Sequence, residues 1–397
     1  MCGNINSMKI GIIGGGYSGI LAALLIKTKH PEDEILIIEK NNQLGKKIKA
    51  TGNGKCNIDN LEDDIQKYNE PDFIANLVEK YDFDTQIETL QNLGIYTKVL
   101  NNGGLYPVSE SANNVVSIFE SQLDAADIKT YLETNVLEYK VENDKIVINA
   151  DKHDFIVDKL LIATGGMSTP NLGSDGNFVE VIKKHGYSFE DFRPGLCPVK
   201  VSDHVKFLFG ERVKCNVRVI VNNNEIFNED GEVNFKKDGL SGIVMMNAAS
   251  AISRRKYHGA MISLKIIHNL TVEDLMRLSH TLENPLLTLL NENLANYVYA
   301  RAKVEQHLDL QDYEAEKLIS MLSHIRFRFE SLYDFKDSQV SIGGVLLENI
   351  DPNTMESNKE KNVYFLGETL DIDGYCGGFN MKWCLLSALA IADNIHE

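Results

Sequence analysis

Apolar positions fall into short continuous runs near the two ends of the chain and into alternating runs in its middle. Residues 8–13 (MKIGII) are an apolar run stopped by glycine, the pattern of a strand buried on both faces. GGGYSG follows at Gly14 to Gly19, and the next apolar stretch predicts a helix over Ile20 to Lys29, closed by His30-Pro31. Glu34 to Ile38 (EILII) predicts a second buried strand, ending in Glu39-Lys40. This is a βαβ start. Residues 41–60 are polar and glycine-punctuated. Two or three helices are predicted around 72–93 and 111–126, separated by a loop with Gly103-Gly104 and Tyr106-Pro107. Residues 128–157 alternate as a strand meander, and Lys159 to Thr164 predicts another buried strand before Gly165-Gly166.

The pattern changes near Arg193-Pro194-Gly195. From about 198 to 267, alternating segments such as VKCNVRVIV and AMISLKII are broken by turn residues, which predicts a mainly antiparallel β unit. Residues 271–322 have helical periodicity and no glycine. Strands return at about 339–347 and at Val363 to Leu366, and an apolar helix is predicted over 379–395. The expected fold class is α/β. A Rossmann-like domain is expected from both chain ends (1–192 and 338–397). It carries an inserted, mainly antiparallel, barrel-like β domain (193–270 and 323–337) with a small helical subdomain (271–322).

Composition changes this picture little. Of 397 residues, 43% are apolar and 24% charged, which excludes a mainly disordered chain. Lys and Arg number 40 against 57 Asp and Glu, a net charge of −17. A field of that sign repels phosphate backbones and anionic lipid, so neither nucleic acid nor membrane is an expected partner, although a local basic patch is compatible with it. The six cysteines are Cys2, Cys56, Cys197, Cys215, Cys376 and Cys384; they form no C-x-x-C pair and read as reduced thiols. No metal site is expected, since the histidines show no ligand spacing. The first residues, MCGNINS, lack the basic start of a signal peptide. Ile20 to Ile26, the longest strongly apolar run, is far short of the ~20 residues that span a bilayer. A cytoplasmic protein is the expectation.

The chemistry is written in glycine. Gly14-x-Gly16-x-x-Gly19 lies between a strand and a helix, and Glu39 stands twenty residues beyond Gly19. Gly14 suits the tight turn, Gly16 lets a pyrophosphate approach the backbone, and Gly19 lets helix and strand pack closely. The helix N-terminus offers free N–H groups to phosphate. Glu39 can accept hydrogen bonds from a ribose diol. Two further glycine-rich elements follow core strands: Ala163-Thr164-Gly165-Gly166, and Gly367-Glu368 through Gly374 to Gly377-Gly378. Gly165-Gly166 alone is equally an ordinary strand-to-loop turn. The C-terminal loop, with four glycines and two aspartates ahead of an apolar helix, indicates close backbone approach to a large, permanently bound dinucleotide such as FAD.

These motifs resemble the bacterial BaiN-like flavoproteins, a family of NAD(P)/FAD-dependent oxidoreductases mostly without assigned substrates. The resemblance runs nearly the full chain. It rests on GGGYSG (14–19), LGKKIKATGNGKCN (44–57), LYPVSESANNVV (105–116), LIATGGMSTPNLGSDG (161–176), DGLSG (238–242), VSIGGV (340–345), TMES (354–357) and GETLDIDGYCGGFN (367–380). Tyr17-Ser18, Lys46, Lys55 and Phe379 depart from the usual family wording. The resemblance implies that Lys46 and Lys47 sit near the FAD phosphates or ribityl chain, as against a solvated surface pair. It implies that Val136 meets the adenine through its backbone, and that Glu368, Asn380 and Met381 lie along the ribityl and the pyrimidine edge of the flavin. The expected cofactor set is then Gly14, Gly16, Ser18, Gly19, Glu39, Lys40, Lys46, Lys47, Cys56, Val136, Ala163, Thr164, Gly165, Gly367, Glu368, Gly378, Asn380 and Met381. Cys56 has three readings: a packing residue, which is the commonest fate of a lone cysteine, a redox thiol, or a substrate contact. Tyr106 and Tyr375 are proton donors or, more commonly for such residues, cleft aromatics. No residue is assigned as catalytic.

The expected function is an FAD-dependent oxidoreductase. It passes hydride from transient NAD(P)H through the flavin to an organic acceptor, with an activated C=C bond as the reaction the resemblance implies. The alternatives are a flavin oxidase or dehydrogenase of a small organic donor, and a binding protein with structural FAD. The insertion, about 193–337, is expected to form the substrate-side wall.

Overall fold

The computed structural model describes residues 7–100, 103–256 and 258–396. Most of MCGNINS, with Cys2, lies outside the described residues. The chain divides into two compact units, Met1–Arg193 with Val340–Glu397, and Pro194–Gln339.

The first unit is built on a five-stranded parallel sheet in the order Val363–Phe365, Lys159–Ile162, Lys9–Ile13, Glu34–Ile38, Lys129–Tyr131. Its central strands are apolar without alternation because both faces are covered: Ile10, Ile12, Ile37, Leu160 and Phe365 are fully buried. On one face lie the helices Tyr17–Lys29 and Phe379–Asn394, packed on each other. Both are apolar around their whole circumference, as buried helices are. The other face carries the antiparallel strands Val136–Glu142, Lys145–Ala150 and Asp154–Val157. Gly11 admits them: a Cβ there would lie 2.9 Å from Ile148 Cδ1.

Two local differences from the sequence reading appear here. The first helix begins at Tyr17, three residues earlier than its apolar run, because the glycine loop already turns into it. Lys129–Tyr131, at the start of the alternating stretch, is the edge strand of the parallel sheet, paired with Leu36–Ile38. Edge strands are half-exposed, so their alternation resembles that of a meander.

The second unit is a closed six-stranded barrel in the order Val199–Val201, Gly239–Ser241, Asn224–Phe235, Arg212–Val221, Met261–Ile266, Ile325–Leu332. Alternation along Arg212–Val221 sends Val213, Cys215, Val217, Val219 and Val221 inward. Within the stretch that reads as β, Ile243–Arg254 is a helix. Its IVMMNAAS sequence is buried on most sides, which removes the polar face that would mark it. The helices Val272–Ser279, Glu292–Ala302 and Asp312–Ser323 follow. The first opens on a capping box in which Thr271 Oγ1 accepts from Asp274 N and the Asp274 carboxylate accepts from Thr271 N. Among the described residues no helix is long and apolar enough to cross a membrane.

Candidate functional site

The glycine loop has a different reason for each glycine. Gly14, at φ +109°, would put a Cβ 2.4 Å from the carbonyl oxygen of Ala163, and Gly19 would put one 2.1 Å from that of Gly14. Neither position has room for a side chain. Gly16 is the opposite case: a Cβ there would meet nothing within 4 Å. Gly16 is also the N-cap of the helix Tyr17–Lys29, and no side chain caps that end. The first turn therefore keeps N–H groups without a side-chain partner beside open space, a cradle that fits a pyrophosphate.

Glu39 closes over the same loop. Its Oε2 accepts from Gly15 N at 2.7 Å and its Oε1 from Asn41 N at 2.8 Å, and the residue is 8% exposed. Thr134 N donates to the Glu39 carbonyl at 3.0 Å, which brings Val136, two residues on, to this end of the sheet. Val136 is buried, at the start of a strand whose register shifts between Val136 and Glu138. Lys40 pairs with Asp175 and donates to Asn177 Oδ1 at 3.1 Å. Asn177 in turn donates to Asn135 Oδ1 at 2.9 Å. Lys46 reaches Asn41 Oδ1 at 3.4 Å.

The three glycine-rich elements meet at the carboxyl ends of neighbouring parallel strands. Ala163 backs Gly14, and Gly165 N donates to Thr369 Oγ1 at 3.0 Å. Gly367, at φ +61°, would place a Cβ 2.7 Å from Ser18 Oγ. Lys47 lies between Ser168 and Glu368, 2.7 Å from Glu368 Oε2. Glu368 Oε1 accepts from Ser341 N at 2.6 Å and from Ser168 Oγ at 3.2 Å. Ser341 Oγ accepts from Met167 N at 2.7 Å and Ser168 N at 3.0 Å. Ser168, Ser341 and Thr369 are the members that sequence reasoning missed. Their signal was adjacency to glycine in GGMS, VSIGG and GET.

A second cluster joins the segment around Cys56 to the last helix. Cys56 is fully buried with φ +61°, and burial pushes its thiol up to about 11. Gly378, at φ +111°, would put a Cβ 2.2 Å from the Asp59 carbonyl oxygen. Lys382, 1% exposed, lies 3.3 Å from Asp59 Oδ1 and 2.5 Å from Asp63 Oδ1, and donates to the Asn60 carbonyl at 2.9 Å. Burial raises the Asp59 carboxyl to about 6 against the pull of Lys382. Asn380 closes the loop before the helix, accepting from Gly374 N at 2.9 Å and donating to Gly374 O at 2.8 Å. Met381 packs at the edge of the core. Tyr17 Oη, Asn57 Oδ1 and Asp59 Oδ2 are buried here without a hydrogen-bond partner. Three orphaned polar atoms near uncapped backbone fit a polar cofactor edge. Tyr106 and Tyr375 are both half-buried.

The sequence pattern of the HI0933-like protein Rossmann domain matches residues 8–394. The chain belongs to the HI0933-like family. This HI0933-like chain is similar over nearly its whole length to the 3-dehydro-bile acid delta(4,6)-reductase of Clostridium scindens, at 28% identity over 392 residues, 94% of this chain and 96% of the relative. The family resemblance read from the motifs agrees with both findings. The ribosomal RNA dihydrouridine synthase of Escherichia coli is 26% identical over 400 residues, 97% of each chain. Among solved structures, the 3-ketosteroid delta1-dehydrogenase of Sterolibacterium denitrificans in complex with 1,4-androstadiene-3,17-dione matches the HI0933-like chain with a TM-score of 0.54 at 10% identity, covering 99% of this chain and 100% of that one. At that identity the likeness speaks for the fold alone.

Proposed function

We propose that this protein is a flavin-dependent oxidoreductase that binds FAD non-covalently, takes hydride from NAD(P)H and reduces an activated C=C bond of an organic acceptor. The observation that carries the reading is the convergence of three glycine-rich elements at the carboxyl ends of the parallel strands, where doubly wound sheets bind dinucleotides. Membership in a family with a C=C-reducing relative supports the reaction type.

Bound FAD would supply a two-electron carrier between a nicotinamide and an electron-poor double bond. The chain's own residues bind and orient it. The open first turn at Gly16, Ser18 and Gly19 would hold the pyrophosphate, with Glu39 on a ribose diol. Lys40 and the backbone of Val136 would flank the adenosine end. Lys46 and Lys47 would face phosphate and ribityl oxygens, with Ala163, Thr164 and Gly165 beneath them. Gly367, Glu368, Gly378, Asn380 and Met381 would line the flavin end, with Cys56 behind it. The N-terminus of the helix Phe379–Asn394, which no side chain caps, would favour negative charge on that side of the cofactor.

A second reading concerns the acceptor alone. Relatives named ribosomal RNA dihydrouridine synthase match at 26% and 25% identity over 97% of this chain. They support a uracil ring in RNA as the electron-poor double bond, in place of a free small molecule.

The test is the visible spectrum of the purified protein. A yellow protein that releases FAD on denaturation, and that NADH or NADPH bleaches anaerobically, is the expected result. Recovery of FMN or NAD, or bleaching by an organic donor alone, overturns it. Reoxidation of the reduced protein by an enone or by uridine-containing RNA then distinguishes the two acceptors.

A further inference from the structure

The net charge of −17 is not shared between the two units. Residues 194–339 carry 18 Lys and Arg against 19 Asp and Glu, whereas the remainder of the chain carries 22 against 38. The second unit is thus close to neutral, and on its barrel the cations are sorted.

The register of three neighbouring strands shows how. Arg218 pairs with Ser263, and Ser263 with Arg326, so the three stand in one row across the sheet. Met261 pairs with Arg328 in the next row, and Lys265 pairs with Asn216 in the row on the other side. Cross-strand partners share a face. The inward face of these strands holds Val217, Val219, Ile262, Leu264, Ile325 and Phe327, all at most 1% exposed. The cations therefore stand on the outer wall. Lys265, Arg326 and Arg328 are exposed there and form no ion pair among the described residues. Arg218 lies 3.6 Å from Glu225 and donates from Nε to Asn216 Oδ1 at 3.0 Å, while Asp230, across from Asn216 in the Lys265 row, accepts from Asn216 Nδ2 at 2.8 Å. Asp203 is taken up by the backbone N–H of Arg328 at 2.8 Å and the guanidinium of Arg301 at 3.2 Å, and the exposed Glu330 stands two residues beyond Arg328 on the same strand.

We propose that this wall, with Arg218, Lys265, Arg326 and Arg328 as contacts, docks the phosphate backbone of RNA. The proposal rests on the RNA reading of the acceptor given above. A chain of net charge −17 repels a polyanion at long range, so it can hold one only where cations are grouped and not already neutralised. Three of these four meet that condition. Arginine also offers two parallel donors to a phosphate, which selects phosphate over a diffuse negative field. The wall positions a nucleic acid without reading its sequence, as backbone contacts do.

The experiment uses the full-length holoprotein, a short fluorescein-labelled single-stranded RNA and, as a competitor, polyglutamate. Wild-type protein is expected to bind the RNA with an affinity that falls steeply between about 50 and 200 mM salt. The variant R218Q/K265Q/R326Q/R328Q is expected to lose at least about tenfold in affinity. Its slope of log affinity on log salt should flatten by roughly three, since each single-strand phosphate contact contributes about 0.7. Because the four side chains lie on the outside of the barrel, the circular dichroism spectrum and FAD content should not change. No RNA binding by wild type, equal binding by the variant, or displacement by polyglutamate at equal charge overturns the proposal, the last in favour of an acidic protein partner. The acceptor reading has its own readout, dihydrouridine in ribosomal RNA incubated with reduced enzyme. Dihydrouridine formed equally well by wild type and variant removes the wall and leaves the acceptor. Wall-dependent binding without dihydrouridine leaves the wall as an RNA contact and removes uracil as the acceptor.

Discussion

Lys47 and Glu368, separated by 321 positions in the sequence, meet at 2.7 Å between Nζ and Oε2. The contact ties the segment after the second parallel strand to the loop after the last one. Ser168 and Ser341 complete the junction from two further segments. Four pieces of chain that carry the family motifs are thereby held by one carboxylate.

Glu368→Ala should lower the stability of the apoprotein by about 2–3 kcal/mol, since hydrogen bonds to a charged group that is mostly buried are worth roughly 1.5–3 kcal/mol each and are not additive. Urea denaturation measures it. Ser168→Ala, which removes one bond to the carboxylate and one to Lys47, should cost about 1 kcal/mol. A Glu368→Ala protein as stable as wild type would show that the junction forms only with cofactor.

Gly16→Ala and Gly19→Ala should part company. An added methyl at Gly16 meets no protein atom, so that variant folds with normal stability and loses FAD affinity by tenfold or more, an effect of about 1.4 kcal/mol or more. At Gly19 the methyl meets backbone at 2.1 Å, which backbone cannot yield cheaply, so folding itself suffers. Thermal melting of the apoproteins beside FAD titration by fluorescence quenching separates them. Full FAD affinity in Gly16→Ala would remove the pyrophosphate from this loop.

Asp59 sets a pH dependence of definite sign. Burial raises its carboxyl from 3.8 to about 6, with Lys382 and the Asn60 N–H pulling the other way. The folded state then holds the proton over a range where the unfolded chain has lost it, so this group's contribution to stability falls as pH rises from about 4 to 6. In Asp59→Asn that slope is absent. Relative to wild type, the variant should gain on the order of 1–3 kcal/mol between pH 4 and pH 7. Urea midpoints across that range measure the difference. A pH-independent difference between the two proteins would place the Asp59 titration outside the window.

Cys56 should be inert in the native protein. Its thiol is fully buried and raised to about 11, and Cys384, also raised by burial, stands at about 12. At pH 8 neither has an appreciable thiolate fraction, and the thiolate is the nucleophile. Iodoacetamide should leave Cys56 unmodified in native protein and alkylate it in urea, as read by peptide mass spectrometry. Alkylation of native Cys56 at the rate of a free thiol would restore the redox reading over packing.

What the sequence determined by itself lies within short stretches of chain. The order strand, glycine loop, helix, strand, Glu39 is legible because its causes are local: an apolar run buried on both faces, glycines whose neighbours lie within one turn, and a carboxylate at a strand end. The alternation of Arg212–Val221 is legible for the same reason. Only the tertiary structure decided which distant pieces share a charge or a row. Lys47 with Glu368, Lys382 with Asp59 and Asp63, and Ser341 beneath Met167 and Ser168 depend on crossovers that bring strand ends together. The helix Ile243–Arg254 reads as β in sequence because burial on most sides erased its polar face. The row Arg218, Ser263, Arg326 exists only once the barrel fixes the register of three strands, and a shift of one residue would turn every one of those side chains to the other face.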